Sequence, residues 1–213
     1  MRLFLASAVH AVDIAGDLVF LDVTTDAYFC LGGGGEVISL GPDGEAHVQQ
    51  DETARQLLEA GLLSAEPTPG RLSLPPRPTA SCRHLAARGR LPLKTWLAAL
   101  AVTARVGWRF PRRSFADLLE GSADREALAE PQPQLIEAVE QFEQMRPWLP
   151  LQGECLLRSY HLRTFLRSRG FDALWVFGVR TWPFSAHCWL QVGHTALDED
   201  LERLAAYSPI MVA

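Results

Sequence analysis

A cysteine and a histidine that could act together in thiol chemistry lie 32 positions apart in the last third of the chain. Cys155 opens the apolar-periodic segment ECLLRSYHLRTFLRSRG, and His187 lies in SAHCWLQVGHTALDED, which ends in Asp198, Glu199 and Asp200. A cysteine in the first turn of a helix favours the thiolate, because the unpaired N–H groups and the helix dipole stabilise negative charge there. The thiolate needs a base within ~3 Å, and that base needs an acceptor to fix its tautomer. The order helix cysteine, strand histidine and following acid therefore predicts the arrangement of a thiol protease.

The other cysteines and histidines make weaker candidates. Cys30 lies in a β-like stretch and Cys82 follows a proline-rich segment, while His161 falls on a different face of the helix that begins at Cys155. Cys188 should point to the opposite face from His187 if their strand is regular. Any single cysteine or histidine is often only a packed core residue, so the prediction depends on the combination. No CxxC or HExxH pattern is present, which argues against a zinc site, and the predicted chemistry needs no cofactor.

The identity of the acid depends on the register of the hairpin. If the hairpin has a two-residue turn at Gly193-His194, Trp189 pairs with Asp198, which then shares the face of His187. If the connection has three residues, Trp189 pairs with Glu199 instead. Strand geometry alone leaves both acids open.

Composition limits the classes of function. The chain has 213 residues, of which 48% are hydrophobic and 21% charged, and its net charge is −5. This acidic balance argues against a nucleic-acid partner. No stretch approaches the ~20 apolar residues that would span a bilayer, so no membrane insertion is expected. Four cysteines in apolar surroundings suit reduced thiols, which predicts a cytoplasmic protein.

The order of elements predicts an α+β protein with two domains. In the first third, DLVFLDV and AYFCL are strands, EVISL is a short helix, and QDETARQLLEAGLL is a longer helix. Residues 64–81 contain five prolines and one glycine in 18 positions, a composition typical of a linker. Helices and then a small antiparallel sheet follow. We therefore predict a first domain at 1–66, a linker at 67–80 that tethers it without a shared core, and a second domain at 81–213.

The C-terminal residues resemble a known family. The stretch GECLLRSYHLRTFLRSRGFDALWVFGVRTWPFSAHCWLQVG is similar to the core of the B proteins of lasso-peptide biosynthesis, which are leader peptidases with a transglutaminase-like fold. The most specific parts are CLLRS, GVRTxPF and HCWLQVG. The first domain, through DLVFLDVTTDAYFCL, resembles the family's PqqD-like recognition element, a small winged module with a three-stranded sheet followed by helices. The resemblance thus implies a winged recognition module followed by a transglutaminase/papain-like cysteine protease domain.

The resemblance also implies roles for particular residues. Cys155 would be the nucleophile and His187 the base, and the family register puts the acid at Glu199, with Asp198 as the alternative. In the family the leader lies along the third strand, here Ala27 to Leu31, and packs against the last helix, here 51–60. The residues that would bind the leader are Tyr28, Phe29, Cys30, Leu57 and Leu58. The competing interpretation is that Tyr28, Phe29, Leu57 and Leu58 are only core.

The function implied is removal of the leader from a ribosomally made precursor peptide, without a cofactor. A partner cyclase resembling asparagine synthetase would then close the macrolactam ring. The oxyanion hole would use the backbone N–H of Cys155, and Gln152 is a candidate for its second donor. Two other functions remain open: an acyl transferase of the same thiol chemistry, and an inactive scaffold that binds the precursor.

Overall fold

The structure is a computed structural model that describes residues 1–68, 71–83, 89–119 and 130–213. Residues 69–70 of the expected linker, and 84–88 and 120–129 of the expected second domain, lie outside the described residues. The strands are β1 (Arg2–Leu5), β2 (Val9–Ile14), β3 (Asp17–Asp22), β4 (Ala27–Leu31), β5 (Ile38–Leu40), β6 (Glu45–Val48), β7 (Leu63–Ser64), β8 (Ala80–Ser81), β9 (Leu174–Arg180), β10 (Ser185–Val192), β11 (Thr195–Ala196) and β12 (Ser208–Val212). The helices are α1 (Asp51–Glu59), α2 (Leu93–Arg109), α3 (Phe115–Leu119), α4 (Pro133–Met145), α5 (Cys155–Ser168) and α6 (Leu201–Leu204).

The N-terminal part contains two antiparallel sheets. One is the meander β2-β3-β4, and the other has the order β5-β6-β1-β7. Strand β3 is buried on both faces because its apolar side chains alternate between two clusters. Leu18 and Phe20 pack into an N-terminal cluster with β1, β6 and α1, whereas Val19 and Leu21 point the opposite way.

The sheet that carries the predicted histidine has five strands in the order β12-β9-β10-β11-β8. Strands β9 and β10 form its central antiparallel pair, and β8 joins its edge in parallel with β11. Helix α5 lies against β10 and contacts α2 and α4 on its other side. The apolar stripes of the three helices and one face of the sheet form the main hydrophobic cluster, whose largest buried members include Trp175, Phe142 and Phe165. This packing fixes the start of α5 relative to β10.

The N-terminal part differs from the expected winged module. The three-stranded sheet is present, but residues 1–66 contain α1 as their single α-helix, together with two short 3-10 turns and the additional four-stranded sheet. The segment expected as a short helix, EVISL, instead contributes β5, which pairs with β6. Its side chains alternate between buried Ile38, exposed Ser39 and half-buried Leu40, which is the period of a strand.

The expectation that a free tether joins two separate cores is also corrected. Val19 and Leu21 belong to the same hydrophobic cluster as α2, α4, α5 and the five-stranded sheet. Both side chains are fully buried, and burial of a side chain of this size contributes about 1.5–3 kcal/mol. The meander and the five-stranded sheet therefore share one core, although the division of the sequence at 67–80 stays a proposal.

The proline-rich segment is bound to its surroundings at several points. Arg71 donates hydrogen bonds to the carbonyl oxygens of Leu5 and Ala6. The side-chain amide of Gln191 donates to the carbonyl oxygen of Pro76 at 2.7 Å, and the Thr79 N–H donates to the carbonyl oxygen of His194 at 2.8 Å. Residues 71–79 thus lie along the protein and lead into β8. In the described part of the chain, no helix is long and apolar enough to cross a membrane.

Candidate active site

Cys155 is the first residue of α5. Glu154 precedes it in an extended conformation at the N-cap position, so the thiol lies in the first turn, where N–H groups lack partners within the helix. The side chain is half-buried and free of disulfides. The helix start therefore offers positive electrostatic potential to a thiolate.

His187 approaches Cys155 from strand β10. It pairs with Gly178 of β9, and its side chain is buried. The His187 Nε2 atom lies 2.8 Å from the Glu199 Oε2 atom. The imidazole also interacts with the Cys155 thiol, and this interaction raises the pKa of His187; since Nε2 is engaged by Glu199, Nδ1 is the ring nitrogen left for the thiol. Cys155 and Glu199 thus both act on the imidazole of His187.

The electrostatics of this chain favour an ion pair. The pKa of Cys155 is lowered from 9.0 to about 4, chiefly by a hydrogen bond from Cys188; burial opposes this, and His187 adds to it. Burial acts to lower the pKa of His187, but its hydrogen bonds to Cys155 and Glu199 outweigh burial and raise it. Both shifts favour a thiolate–imidazolium pair over the neutral thiol and imidazole.

Glu199 stays ionised although it is fully buried. Burial acts to raise its pKa, but hydrogen bonds from His187 and Arg158 reverse this and hold it well below its usual range. Arg158 donates to Oε2 at 2.5 Å, and Arg83 pairs with Oε1. The hydroxyl of Ser81 donates to the Glu199 carbonyl oxygen at 2.7 Å. Ser81 and Arg83, which follow the last proline of the proline-rich segment, thus help to hold the carboxylate against the imidazole.

Asp198 is bonded elsewhere. Its Oδ1 atom accepts the N–H of Leu190 at 2.9 Å, while Oδ2 has no hydrogen-bond partner among the described residues. Burial raises the pKa of Asp198 to about 6, against the lowering effects of the Leu190 N–H and Arg158. The Asp198 carboxylate thus accepts, from the Leu190 N–H, a hydrogen bond that a backbone carbonyl would accept in a regular hairpin. It does not contact the imidazole.

The predicted link between the length of the hairpin turn and the acid that faces His187 was wrong. Val192 pairs with Thr195, so the turn at Gly193-His194 has two residues, the case that was expected to bring Asp198 to His187. Strand β11 ends at Ala196, however, and the chain bends after it. Regular alternation therefore stops before the acids, and Glu199 faces the imidazole despite the two-residue turn.

Cys188 is the residue that sequence reasoning missed. It lies on the face of β10 that packs against α5, where its Sγ atom is 3.3 Å from the Ser159 hydroxyl oxygen. Burial and the hydrogen bond to Cys155 raise its pKa well above 9.0, so it remains a thiol and can donate to the Cys155 thiolate. Its direction opposite to His187 is as expected, but both residues bond to Cys155. The adjacency of Cys188 to His187 in HCW was the available signal.

Gln152 does not present a free donor to the nucleophile. Its side-chain amide donates to the carbonyl oxygens of Arg146 at 3.0 Å and Leu149 at 3.2 Å. Both amide hydrogens are therefore used, and the second donor of an oxyanion hole is not supplied by Gln152 in this arrangement.

The residues expected to bind a leader fall into two groups. Tyr28 packs on the main cluster, and Phe29 and Cys30 are exposed on β4, which pairs with β3 and with no other strand of the described residues. Leu57 and Leu58 of α1 are half-buried against the N-terminal cluster. Of these residues, Tyr28 is within electrostatic range of Cys155 and Cys188, whereas the two leucines belong to the opposite side of the meander.

Comparisons with known proteins bear on the part of the chain that carries the site. Residues 96–212 match the model of the transglutaminase-like superfamily. A stretch of 48 residues is 44% identical to the microcin J25-processing protein McjB of Escherichia coli. That stretch covers 22% of this chain and 23% of the relative, so the two align over less than a quarter of the relative's length. No solved structure matches this chain.

Proposed function

This chain belongs to the transglutaminase-like superfamily, and from that premise we propose that it is a cysteine peptidase that removes the leader from a lasso-peptide precursor. The observation that supports the peptidase assignment is the grouping of Cys155, whose pKa is lowered in part by His187, with the His187–Glu199 hydrogen bond. The precursor class is supported by the similarity to a protein named for processing microcin J25.

The reaction proceeds in two stages. The Cys155 thiolate attacks the scissile carbonyl carbon, and the backbone N–H of Cys155 stabilises the oxyanion. His187, protonated in the resting ion pair, gives its proton to the leaving amine as the C–N bond breaks and a thioester forms. The neutral imidazole then takes a proton from water, which attacks the thioester and releases the acid product. The imidazole, having taken this proton, is again an imidazolium, and cleavage of the C–S bond regenerates the Cys155 thiolate.

Glu199 acts on the imidazole throughout this cycle. By accepting a hydrogen bond at Nε2, it directs Nδ1 toward the thiol and stabilises the imidazolium. Arg158 and Arg83 keep the carboxylate ionised and fixed in direction. Its orientation therefore depends on residues from α5 and from the segment that follows the prolines.

The leader binds the N-terminal part in this proposal. The exposed edge of β4 offers backbone N–H and C=O groups to an extended peptide, and addition of the peptide as a further strand would satisfy them. Residues 1–66 then act as the leader-recognition domain and residues 81–213 as the peptidase domain. The released core peptide passes to a macrolactam cyclase resembling asparagine synthetase.

The direct test is cleavage of the precursor encoded beside this chain, followed by mass spectrometry. We expect one cut between leader and core, at least 10³-fold slower with Cys155→Ala, while binding of the leader is retained because β4 is unchanged. Cys82→Ala is the control, since that buried thiol lies outside the site. Unchanged turnover in Cys155→Ala would remove the peptidase assignment.

Acyl transfer is a second candidate, favoured by the superfamily match itself. The same thioester would then be taken by an amine rather than by water. Addition of a primary amine such as glycine ethyl ester to the cleavage reaction separates the two: a peptidase yields the free carboxylate, whereas a transferase yields the amide in excess.

A further inference from the structure

Exposed aromatic side chains converge where the N-terminal meander meets the β9–β10 hairpin. A cavity of about 130 Å³ lies between strand β4 and the connection that joins β9 to β10. We call it the junction pocket and define it by its lining residues Tyr28, Phe29, Cys30, Thr181, Trp182 and Phe184. Trp182 is 79% exposed, Phe184 49% and Phe29 47%. Aromatic surface gathered in this way usually marks a site that another molecule covers.

The walls of the junction pocket are held in place from both sides. The Trp182 Nε1–H donates to Asp17 Oδ2 at 2.7 Å, and the other oxygen of Asp17 accepts the Gly33 N–H at 2.9 Å. The rings of Tyr28 and Phe184 pack with their centroids 5.4 Å apart. The exposed aromatics are therefore tied to the meander, and their shape is set before any ligand arrives.

Tyr28 joins the junction pocket to the nucleophile. Its side chain packs on the main cluster, to which Cys155 also belongs. Burial raises the pKa of its hydroxyl, and Asp26, Cys188 and Cys155 add to that rise. Tyr28 thus both lines the pocket and is within electrostatic range of the thiol that would cut a peptide.

The backbone of β4 identifies the occupant as an extended peptide. A peptide that pairs with this edge presents alternate side chains to opposite faces of the meander. One set faces the side of α1, and the other faces Trp182 and Phe184. Asp17 at the rim disfavours an acidic side chain in the second set.

We propose that the junction pocket is a specificity subsite, which takes an apolar side chain of the substrate between the segment paired with β4 and the scissile bond. The proposal rests on the proposed function, and it adds that residues of the peptidase hairpin read the peptide jointly with β4. Substrates therefore carry an aliphatic or aromatic residue at the pocket position, and polar residues are tolerated at its two immediate neighbours.

The test selects peptides by binding alone. A phage-displayed library of random 12-residue peptides is panned against the full chain carrying Cys155→Ala. We expect enriched sequences with apolar residues at every second position, and at least 10-fold weaker binding of those peptides to Phe184→Ser made in the same background. Trp108→Ser is the matched control, because Trp108 is also exposed, at 62%, but lies on α2 away from the pocket. To check the fold, Phe184→Ser is also made in the chain that retains Cys155. Iodoacetamide should alkylate Cys155 in this single variant at the rate measured for the unaltered chain.

Cys30 supplies an independent arm of the same test. With Cys155 replaced, Cys30 is the exposed thiol, since Cys82 and Cys188 are buried. Benzyl methanethiosulfonate converts Cys30 to a benzyl mixed disulfide and releases methanesulfinate. The benzyl group that remains on Cys30 then fills the pocket. We expect this to weaken binding of the selected peptides at least 10-fold and dithiothreitol to restore it.

Three results would overturn the subsite: no peptide is enriched, enrichment shows no apolar preference, or the selected peptides bind equally well after Phe184→Ser and after modification of Cys30. Failure of the proposed function is a separate result, because it would appear as an uncut precursor whatever the panning returns.

Discussion

Glu199 carries its charge without contact with bulk water. Burying a carboxylate is costly unless it is paired and hydrogen-bonded. Here Arg83, Arg158 and His187 satisfy it, so the charge is retained where it can act on the imidazole. Asp198, one residue earlier, lacks a full set of partners and has its pKa raised to about 6. Two adjacent acids thus have different roles because of their partners.

We expect Glu199→Gln to lower kcat by about 10² to 10⁴-fold, because the amide no longer stabilises the imidazolium. Asp198→Asn should lower kcat by less than about 5-fold, because the asparagine carbonyl can still accept the Leu190 N–H. Steady-state kinetics with the precursor measure both, and thermal unfolding controls for damage to the fold. The reverse ranking would mean that Asp198 orients the base.

The depressed pKa of Cys155 predicts how its reactivity depends on pH. Since the thiolate is present above a pKa of about 4, iodoacetamide should alkylate Cys155 at nearly constant rate between pH 8 and pH 6 and slow only as pH falls toward 4. A free thiol would slow roughly 100-fold between pH 8 and pH 6. Cys188→Ala should move the acid limb to higher pH, because the donor to the thiolate is lost.

Cys82→Ala is the matched control for that measurement, being a buried cysteine outside the site. A profile for the unaltered chain that rises tenfold per pH unit up to pH 8 would contradict the ion pair. On the alkaline side, turnover should decline as His187 loses its proton, at a pH above 6.5 because its hydrogen bonds raise the pKa.

At the scale of elements, the contact between α5 and the sheet positions Cys155, the proposed nucleophile, relative to His187, its proposed base. Ser159, one turn after Cys155, is fully buried between them. Its hydroxyl oxygen accepts the Trp175 Nε1–H at 2.8 Å, and the hydroxyl donates to the Cys155 carbonyl oxygen at 2.8 Å. It also contacts Cys188. One side chain therefore connects the first turn of α5 to both β9 and β10.

Ser159→Ala should lower the free energy of unfolding by about 1–3 kcal/mol, because the buried Trp175 N–H loses its acceptor. It should also lower kcat, since Cys188 is less well positioned. Thr164→Ala is the matched control: its hydroxyl donates to the Tyr160 carbonyl oxygen within α5 and does not reach the sheet. Denaturant unfolding and kinetics of both variants check the prediction, which equal effects of the two substitutions would contradict.

At the scale of the whole molecule, one core joins the N-terminal meander to the helices and sheet that carry Cys155 and His187. The meander β2-β3-β4 has one face in the N-terminal cluster and the other in the main cluster. Separate folding of residues 1–66 would leave the second face, including Val19 and Leu21, in water. The position of the meander relative to Cys155 and His187 therefore follows from packing rather than from the length of a linker.

We expect a single cooperative unfolding transition that both Leu18→Ala and Leu21→Ala move, each by about 2–5 kcal/mol, although the two side chains lie in different clusters. Calorimetry of the full chain measures this. Two transitions, with Leu18→Ala shifting one and Leu21→Ala the other, would show that the parts unfold independently.

Local patterns in the sequence determined Cys155 as a helix start, His187 as a strand residue, and β4 and α1 as elements, because periodicity and end signals act over a few residues. The family register, not the spacing, indicated Glu199. Only the tertiary structure decided that Cys188 reaches Cys155, that Arg83 and Arg158 hold Glu199, and that the meander docks on the main core. These contacts join residues far apart in the chain, and their energies depend on burial and on partners that no local pattern specifies.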